Sequence, residues 1–323
     1  MGVLLELAAA RPDALAVDDL TRTRTYAELV DRATRGAHLL ADTFGVGAGG
    51  HAAFVLGNRV ELVELTVAAM LAGAWITPVN AHLTAEEIGY VLDDSGARVV
   101  FCDAEHEDRV RAVAGGRPVV VVGDELDGLL ADADDTPVDP AGPPGATMCY
   151  TSGTTGRPKG VKRARAATVE AALRGLDAYG RAIGLDGGGP HLVTGPLYHA
   201  APLGFALMDL GNGAPLVLMP RWDEARALEL LTERGVRNTH LVPTMFVRLL
   251  RLPDEVRARF DPSGLGTVLH GAAPIAPTVK RRMIEWWGPV LVEYWGGSEG
   301  GVVTLVDSAD WLAHPGTVGR PVR

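Results

Sequence analysis

The stretch "YTSGTTGRPKG" (Tyr150–Gly160) puts three glycines, four Ser or Thr hydroxyls, an Arg and a Lys behind one tyrosine. A Pro/Gly spacer, "DPAGPPGATMC" (Asp139–Cys149), runs directly into it, and together they predict a loop. Gly153, Gly156 and Gly160 let the backbone approach a ligand closely and turn several N–H groups into one concavity. The hydroxyls of Thr151, Ser152, Thr154 and Thr155 add uncharged donors, and Lys159 adds a mobile positive charge that can follow a phosphate. The spacing is not that of a Walker A loop, because only two residues separate Gly153 from Gly156 and Gly160 follows the lysine.

Helix and strand patterns alternate on both sides of this loop. Before it, "TYAELVDRATRGAHLLADTFG" sets Leu29, Ala33, Ala37 and Leu40 on one helical face and stops at Gly45. The apolar runs "HAAFVLG", "AWITPVN" and "ARVVFCD" then predict strands, separated by a helix over "RVELVELTVAAMLAG" and another capped by Thr84 with Glu87 three residues on. After the loop the pattern predicts a helix over 166–183, strands at "HLVTGPL" and "PLVLMP" and a helix from Trp222 to about Gly235. A strand at "RNTHLVPT", a helix at "KRRMIEWWG" and a strand at "VLVEYWGG" follow. Unbroken apolar strands between helices indicate an α/β fold with parallel-rich sheets covered on both faces. The acidic, Pro/Gly-rich "DGLLADADDTPVDPAGPPG" (Asp127–Gly145) reads as a linker.

Composition narrows the function. The 323 residues are 47% hydrophobic and 22% charged, with 30 basic against 40 acidic side chains, a net charge of −10. Such a chain lacks the basic footprint of sequence-independent nucleic-acid binding. Cys102 and Cys149 form no disulfide framework and no metal-ligand pattern, and both sit in apolar runs. The N-terminus lacks a basic leader and is too short to span a membrane, and Glu6 stands where a myristoylation signal wants Ser or Thr. A cytoplasmic protein without a membrane span is the expectation, with a homodimer left open.

Two patterns match by spacing alone. "GVGAGG" (Gly45, Gly47, Gly50) fits a dinucleotide fingerprint, but it follows a helix and precedes a strand, the reverse of what pyrophosphate binding at a helix N-terminus needs. "GGSEG" around Ser298 fits a nucleophile elbow, with Asp310 and His314 following, which makes a serine hydrolase an alternative of another class. The β-branched "GVVTLV" after Ser298 argues against it, since the elbow must open a helix.

The loop resembles the phosphate-binding signature of the adenylate-forming superfamily, which holds acyl-CoA and aryl-CoA synthetases, luciferases and peptide-synthetase adenylation domains. Further motifs follow in that family's order: "GPLYHA" (Gly195–Ala200), "HGAAP" (His270–Pro274), "EYWGGSEG" (Glu293–Gly300) and "GTVGRP" (Gly316–Pro321). "TYAEL", Asn58 with Glu61, and "PVNAHLT" from Pro78 to Thr84 fit as well. The resemblance covers essentially the whole chain and is greatest to bacterial fatty-acyl-type CoA synthetases. It implies stacked α/β subdomains: residues 45–185 with the phosphate loop, 1–44 with 186–305 as the second, and 306–323 as the start of a small β-barrel.

The resemblance also implies chemistry: a carboxylic acid and ATP give an acyl-adenylate, which then reacts with coenzyme A. Thr151, Ser152, Gly153, Thr154, Thr155, Gly156 and Lys159 would grip the β- and γ-phosphates. Glu299 with Thr151 would hold Mg²⁺, a hard cation suited to oxygen. Ser298 stands for the family's usual Thr at the α-phosphate, and Trp295 for its Tyr beside adenine. Glu293 fits the position facing the adenine amino group, within a cofactor-binding run that includes Tyr294 and Gly296. Gly271, Ala272 and Ala273 would form the opposite wall. His199 would lie beside the reacting carboxylate, and Phe205, Met208, His240, Pro243, Thr244 and Met245 are acyl-pocket candidates, with ordinary core packing as the alternative. In the family the chain continues past "GRP" with a ribose-binding Asp, a hinge and a mobile C-terminal domain carrying a catalytic Lys, none of them in this sequence. The expectation is therefore a large N-terminal part with impaired thioester formation, and a non-catalytic nucleotide or acyl-adenylate binding module stays open beside it.

Overall fold

The computed structural model describes residues 3–151 and 157–322. Its strands, in chain order, are β1 (Leu15–Asp18), β2 (Thr23–Thr25), β3 (His51–Val55), β4 (Trp75–Pro78), β5 (Val99–Cys102), β6 (Val119–Val121), β7 (Ala146–Thr151) and β8 (Lys159–Lys162). β9 (His191–Val193), β10 (Leu216–Leu218), β11 (Asn238–Leu241), β12 (Thr267–His270), β13 (Leu291–Gly297), β14 (Gly301–Asp307) and β15 (Arg320–Pro321) complete them. They form a six-stranded sheet in the order β6-β5-β3-β4-β7-β8 and a nine-stranded sheet in the order β15-β14-β13-β12-β11-β9-β10-β1-β2.

Side-chain alternation sorts neighbours along these strands between two layers. In β3, Ala52 and Phe54 enter a core shared with the large sheet, while Ala53 and Val55 face an outer layer. In β10, Leu216 and Leu218 enter the same shared core and Val217 faces the other side. Helices Tyr26–His38, Val60–Ala72, Val169–Ala182 and Ala200–Gly211 fill the space between the sheets with residues such as Leu29, Val63, Leu173 and Leu203. Strands buried on both faces need no polar residues, which is why they read as unbroken apolar runs.

Caps fix where the helices begin. Thr84 and Glu87 form the expected capping box, and Thr25 with Glu28 forms a second one at Tyr26–His38. The expected linker is corrected in its first part. Asp127–Asp132 completes the helix Asp124–Asp132, because Leu126 and Leu130, one turn apart, are both buried.

Parallel pairing aligns the site. β13, β12, β11, β9, β10 and β1 are successively parallel, as are β6, β5, β3, β4 and β7, so each group ends at one edge of its sheet. The chain leaves β9 for β10 on one side and then crosses back to β11 on the other. Such a reversal opens a crevice at the carboxyl ends, where α/β sheets bind ligands. β14 and β15 continue the large sheet as antiparallel strands.

Candidate functional site

Most of the motif residues sit at those carboxyl ends. β12 ends at His270 and passes directly into Gly271–Ala273, while the neighbouring β13 runs on through Trp295 to the turn holding Ser298 and Glu299. Gly271 is required there, because a Cβ would lie 2.5 Å from the Tyr294 carbonyl and 2.8 Å from its ring. Ala272 is exposed and holds φ = 64°, a left-handed conformation that costs an alanine about 1 kcal/mol or more. Trp295 is 57% exposed and offers a free indole face. Small residues on one strand end and an open aromatic on the next fit a flat base between them.

Asn58 holds the loop that carries His199. Its side-chain amide donates to the carbonyls of Gly195 (3.0 Å) and Met219 (2.9 Å), and its oxygen accepts from the Leu197 N–H (2.8 Å). His199 then stands at the N-terminus of Ala200–Gly211, with its ring 4.5 Å from that of Tyr198. Desolvation lowers the His199 pKa and favours the neutral imidazole. Glu61, beside Asn58, is fully buried and structural, accepting from Arg59 and Arg22.

The phosphate loop is described only at its two ends. Thr151 closes β7 and pairs in register with Lys159, which is exposed at the start of β8. Ser152, Gly153, Thr154, Thr155 and Gly156 lie outside the described residues. Glu299 is exposed, and no described residue hydrogen-bonds or ion-pairs with its carboxylate. An uncommitted hard carboxylate and the Thr151 hydroxyl suit Mg²⁺ in kind, although no hydrogen bond links Thr151 or Lys159 to Ser298 or Glu299 among the described residues. Arg163, just past β8, joins the two hairpins by donating to the carbonyls of Ser298 (2.6 Å) and Gly297 (3.2 Å).

Glu293 is engaged in an ion pair. Its carboxylate is buried and accepts from Lys280 Nζ at 2.6 Å, on the face of β13 opposite Tyr294. By strand alternation Glu293 shares that face with Trp295, two residues on. Lys280 is itself fully buried and lies 4.9 Å from the Trp311 ring centroid. Burial pulls the Lys280 pKa down, and Glu293 partly offsets that. His270, 4.0 Å from Glu293, has both ring nitrogens buried without a partner, and its pKa is driven well down by burial and by Lys280.

The acyl-pocket candidates divide. Phe205 and His240 pack with Tyr294 into one buried group, ring centroids 5.2–5.8 Å apart, with the Tyr294 hydroxyl 3.1 Å from His240 Nε2. Burial, reinforced by His191 and His199, pushes the His240 pKa down to about 3. Pro243 is buried at the start of Pro243–Leu249, Thr244 is exposed, and Met245 receives a contact from the Thr194 hydroxyl. Met208 alone of the six lines a cavity of about 600 Å³, walled by helices Val169–Ala182 and Ala200–Gly211 and by the β7–β8 hairpin. Ser298, Gly300 and Gly301 also line this cavity. Of its other lining residues, Ala200 falls in the "GPLYHA" motif, but no sequence signal marked Gly175, Leu176, Tyr179 or Gly204.

The alternatives fare differently. Ser298 lies in the turn of an antiparallel hairpin and opens no helix. Asp310 and His314 follow the far end of β14, about 20 Å along the strand, so no Ser–His–Asp arrangement forms. Cys102 and Cys149 are free and buried, and burial raises both thiol pKa values, that of Cys102 to about 12. Asp103, Glu105 and His106 approach one another, but Asp103 is already engaged by Arg59 and the Gly57 N–H. Among the described residues, no helix is long and apolar enough to cross a membrane.

Motif residues at parallel strand ends, with Ser298 and Gly300 lining an apolar cavity, define the site of an AMP-binding class of enzyme. The chain belongs to the AMP-binding enzyme family, whose pattern it matches over residues 4–323. It is 30% identical to 2-succinylbenzoate–CoA ligase of Geobacillus kaustophilus (strain HTA426), over 99% of this chain and 63% of that protein. It is 29% identical to the long-chain-fatty-acid–CoA ligase FadD13 of Mycobacterium tuberculosis (strain ATCC 25618 / H37Rv), over 92% of this chain and 59% of that one. Its fold superposes on the inhibitor-bound N-terminal domain of FACL13 from Mycobacterium tuberculosis with a TM-score of 0.86 at 27% identity, covering 99% of this chain and 82% of that one. The chain thus spans less than two thirds of the length of these two ligases.

Proposed function

We propose that this chain activates a carboxylic acid with ATP to an acyl-adenylate, the first half of an acyl-CoA synthetase reaction. The observation that carries this reading is the apolar cavity lined in part by Ser298 and Gly300, residues of the motif that also presents Trp295 and Glu299. The acid's apolar body would fill the cavity and leave its carboxylate beside Ser298. There a carboxylate oxygen bonds to the α-phosphorus as the bond to the bridging oxygen breaks, and pyrophosphate leaves with that electron pair.

Two anions must meet, so the residues present have to neutralise charge and align the attack. Trp295 and Ala272–Ala273 would take the adenine. The Ser298 hydroxyl would donate to the α-phosphate, and Lys159 with the loop hydroxyls would hold the outer phosphates. Bound Mg²⁺ supplies counter-charge to the phosphates, and Glu299 with Thr151 offers the oxygens to hold it. His199, kept neutral, positions the acid. The names of the two ligases above, one acting on a ring-bearing acid and one on long-chain fatty acids, support an acid with an apolar body.

Capture of coenzyme A is assigned to the length that the relatives have and this chain does not share. The test is acyl-adenylate and pyrophosphate formation from ATP, Mg²⁺ and a panel of carboxylic acids, read by mass spectrometry, beside nucleotide binding by titration. Acid-dependent pyrophosphate release is expected, with little acyl-CoA until the rest of a full-length ligase is supplied. Binding of nucleotide with no pyrophosphate release for any acid would favour a non-catalytic binding module.

A further inference from the structure

Four glycines on two neighbouring helices behave in two ways. A Cβ on Gly180 would lie 2.8 Å from Asn212 Nδ2 and 3.0 Å from Met208 Cβ, and one on Gly211 would lie 2.2 Å from Asp177 Oδ1. These two are small because the helices Val169–Ala182 and Ala200–Gly211 approach closely there. Gly175 and Gly204 lie inside the same helices, yet a Cβ on either would meet nothing within 4 Å. Both line the apolar cavity, with Leu176 and Tyr179 beside Gly175 and with Leu207 and Met208 beside Gly204. Glycine is a poor helix residue, and packing gives no reason for it at either position. What these two glycines provide is cavity volume.

We propose that Gly204, with the more exposed Gly175, determines which acids the site accepts by leaving room for the acyl body between the two helices. The inference rests on the adenylation reading above, because that reading puts the carboxylate beside Ser298 and sends the rest of the acid inward. A side chain at 204 would occupy space that the distal carbons of a long acid need. Short acids, which end before reaching it, would be unaffected. Each methylene denied burial should cost roughly fourfold in affinity.

The experiment measures binding of straight-chain acids from butanoate to dodecanoate by isothermal titration to the wild type, Gly204→Ala, Gly204→Leu and Gly211→Ala, with a thermal melt of each. For the wild type, affinity should rise along the series. Gly204→Leu should keep the affinity for butanoate and lose more than tenfold for dodecanoate. Gly204→Ala should raise Tm, since it improves the helix without a clash, whereas Gly211→Ala should lower it. A Gly204→Leu protein that binds dodecanoate as tightly as the wild type does overturns the proposal while leaving the adenylation reading intact. A fall in Tm for Gly204→Ala also overturns it, by giving that glycine a packing role. A wild type that binds no acid of any length overturns both.

Discussion

Replacing Lys280 by Met tests the buried pair behind the adenine wall. In the wild type its ammonium is fully buried, bonded to Glu293 at 2.6 Å and set against the Trp311 ring. Methionine matches the volume but leaves the Glu293 carboxylate buried beside His270, whose own nitrogens have no partner. Removing one member of a buried pair costs about 3–5 kcal/mol, because an uncompensated charge remains. In a chain of this size that corresponds to a fall in Tm on the order of 10 °C. The assay is a thermal melt with a parallel urea titration. The double variant Lys280→Met/Glu293→Gln, which removes both charges, should recover most of the loss. A single variant that melts within about 2 °C of the wild type would show that the pair is not the buried charge contact described above. Strand β13 leads from Glu293 to Trp295, so nucleotide affinity should fall in the single variant and return in the double.

Three further outcomes follow from the site and the buried histidines. Glu299→Gln should weaken Mg²⁺-dependent nucleotide binding more than tenfold, about 1.4 kcal/mol or more, with unchanged Mg²⁺ dependence in titration counting against its role. Arg163→Ala should free the turn at Gly297 and Ser298, raising hydrogen exchange across 297–301 and lowering nucleotide affinity several-fold; unaltered exchange there would mean that the clasp does not hold the turn. His240 is pushed down to about 3 and His51 to about 4, and His270 is also driven low, all chiefly by burial. Below about pH 6.5 the unfolded chain therefore binds up to three protons that the native state does not. The histidine contribution is complete above that pH and is lost as pH falls toward the folded values. Its slope reaches about 4 kcal/mol per pH unit near pH 5. Urea midpoints at neutral and acid pH should show that decline, and a flat profile would refute it.

The layered fold was legible because strands buried on both faces leave an unbroken apolar signature, as in β3 and β5. Capping was legible at Thr84 and Glu87. The Thr25–Glu28 box uses the same spacing as Thr84–Glu87 but sits inside "TYAEL", where it overlaps the start of the helix's hydrophobic face. The linker reading erred at Leu126 and Leu130, whose one-turn spacing carries the helix into an acidic stretch. Glu293 shows a different limit. Alternation alone sets it on the face opposite Tyr294, but nothing local announces Lys280 as its partner. That contact arises only when helix Pro277–Trp287 packs on the sheet. For the acyl pocket, sequence could nominate residues of Ala200–Gly211 but could not say which side of the helix faces a void. Phe205 turns into the core beside Tyr294, and Gly204 and Met208 face the cavity.

The opening β1–β2 hairpin has its place in the large sheet beside β10, not beside any strand near it in the chain. On the ribosome its neighbour Leu216–Leu218 follows it roughly 190 residues later, on the order of ten to forty seconds at ordinary elongation rates. The six-stranded sheet, complete by Lys162, is made entirely within that interval. A nascent chain therefore holds β1, with Ala16 and Val17, paired to β2 on one edge and open on the edge that β10 will cover, while the smaller sheet is made. A synonymous slowing of translation before residue 216 would lengthen the time for which that edge stays open.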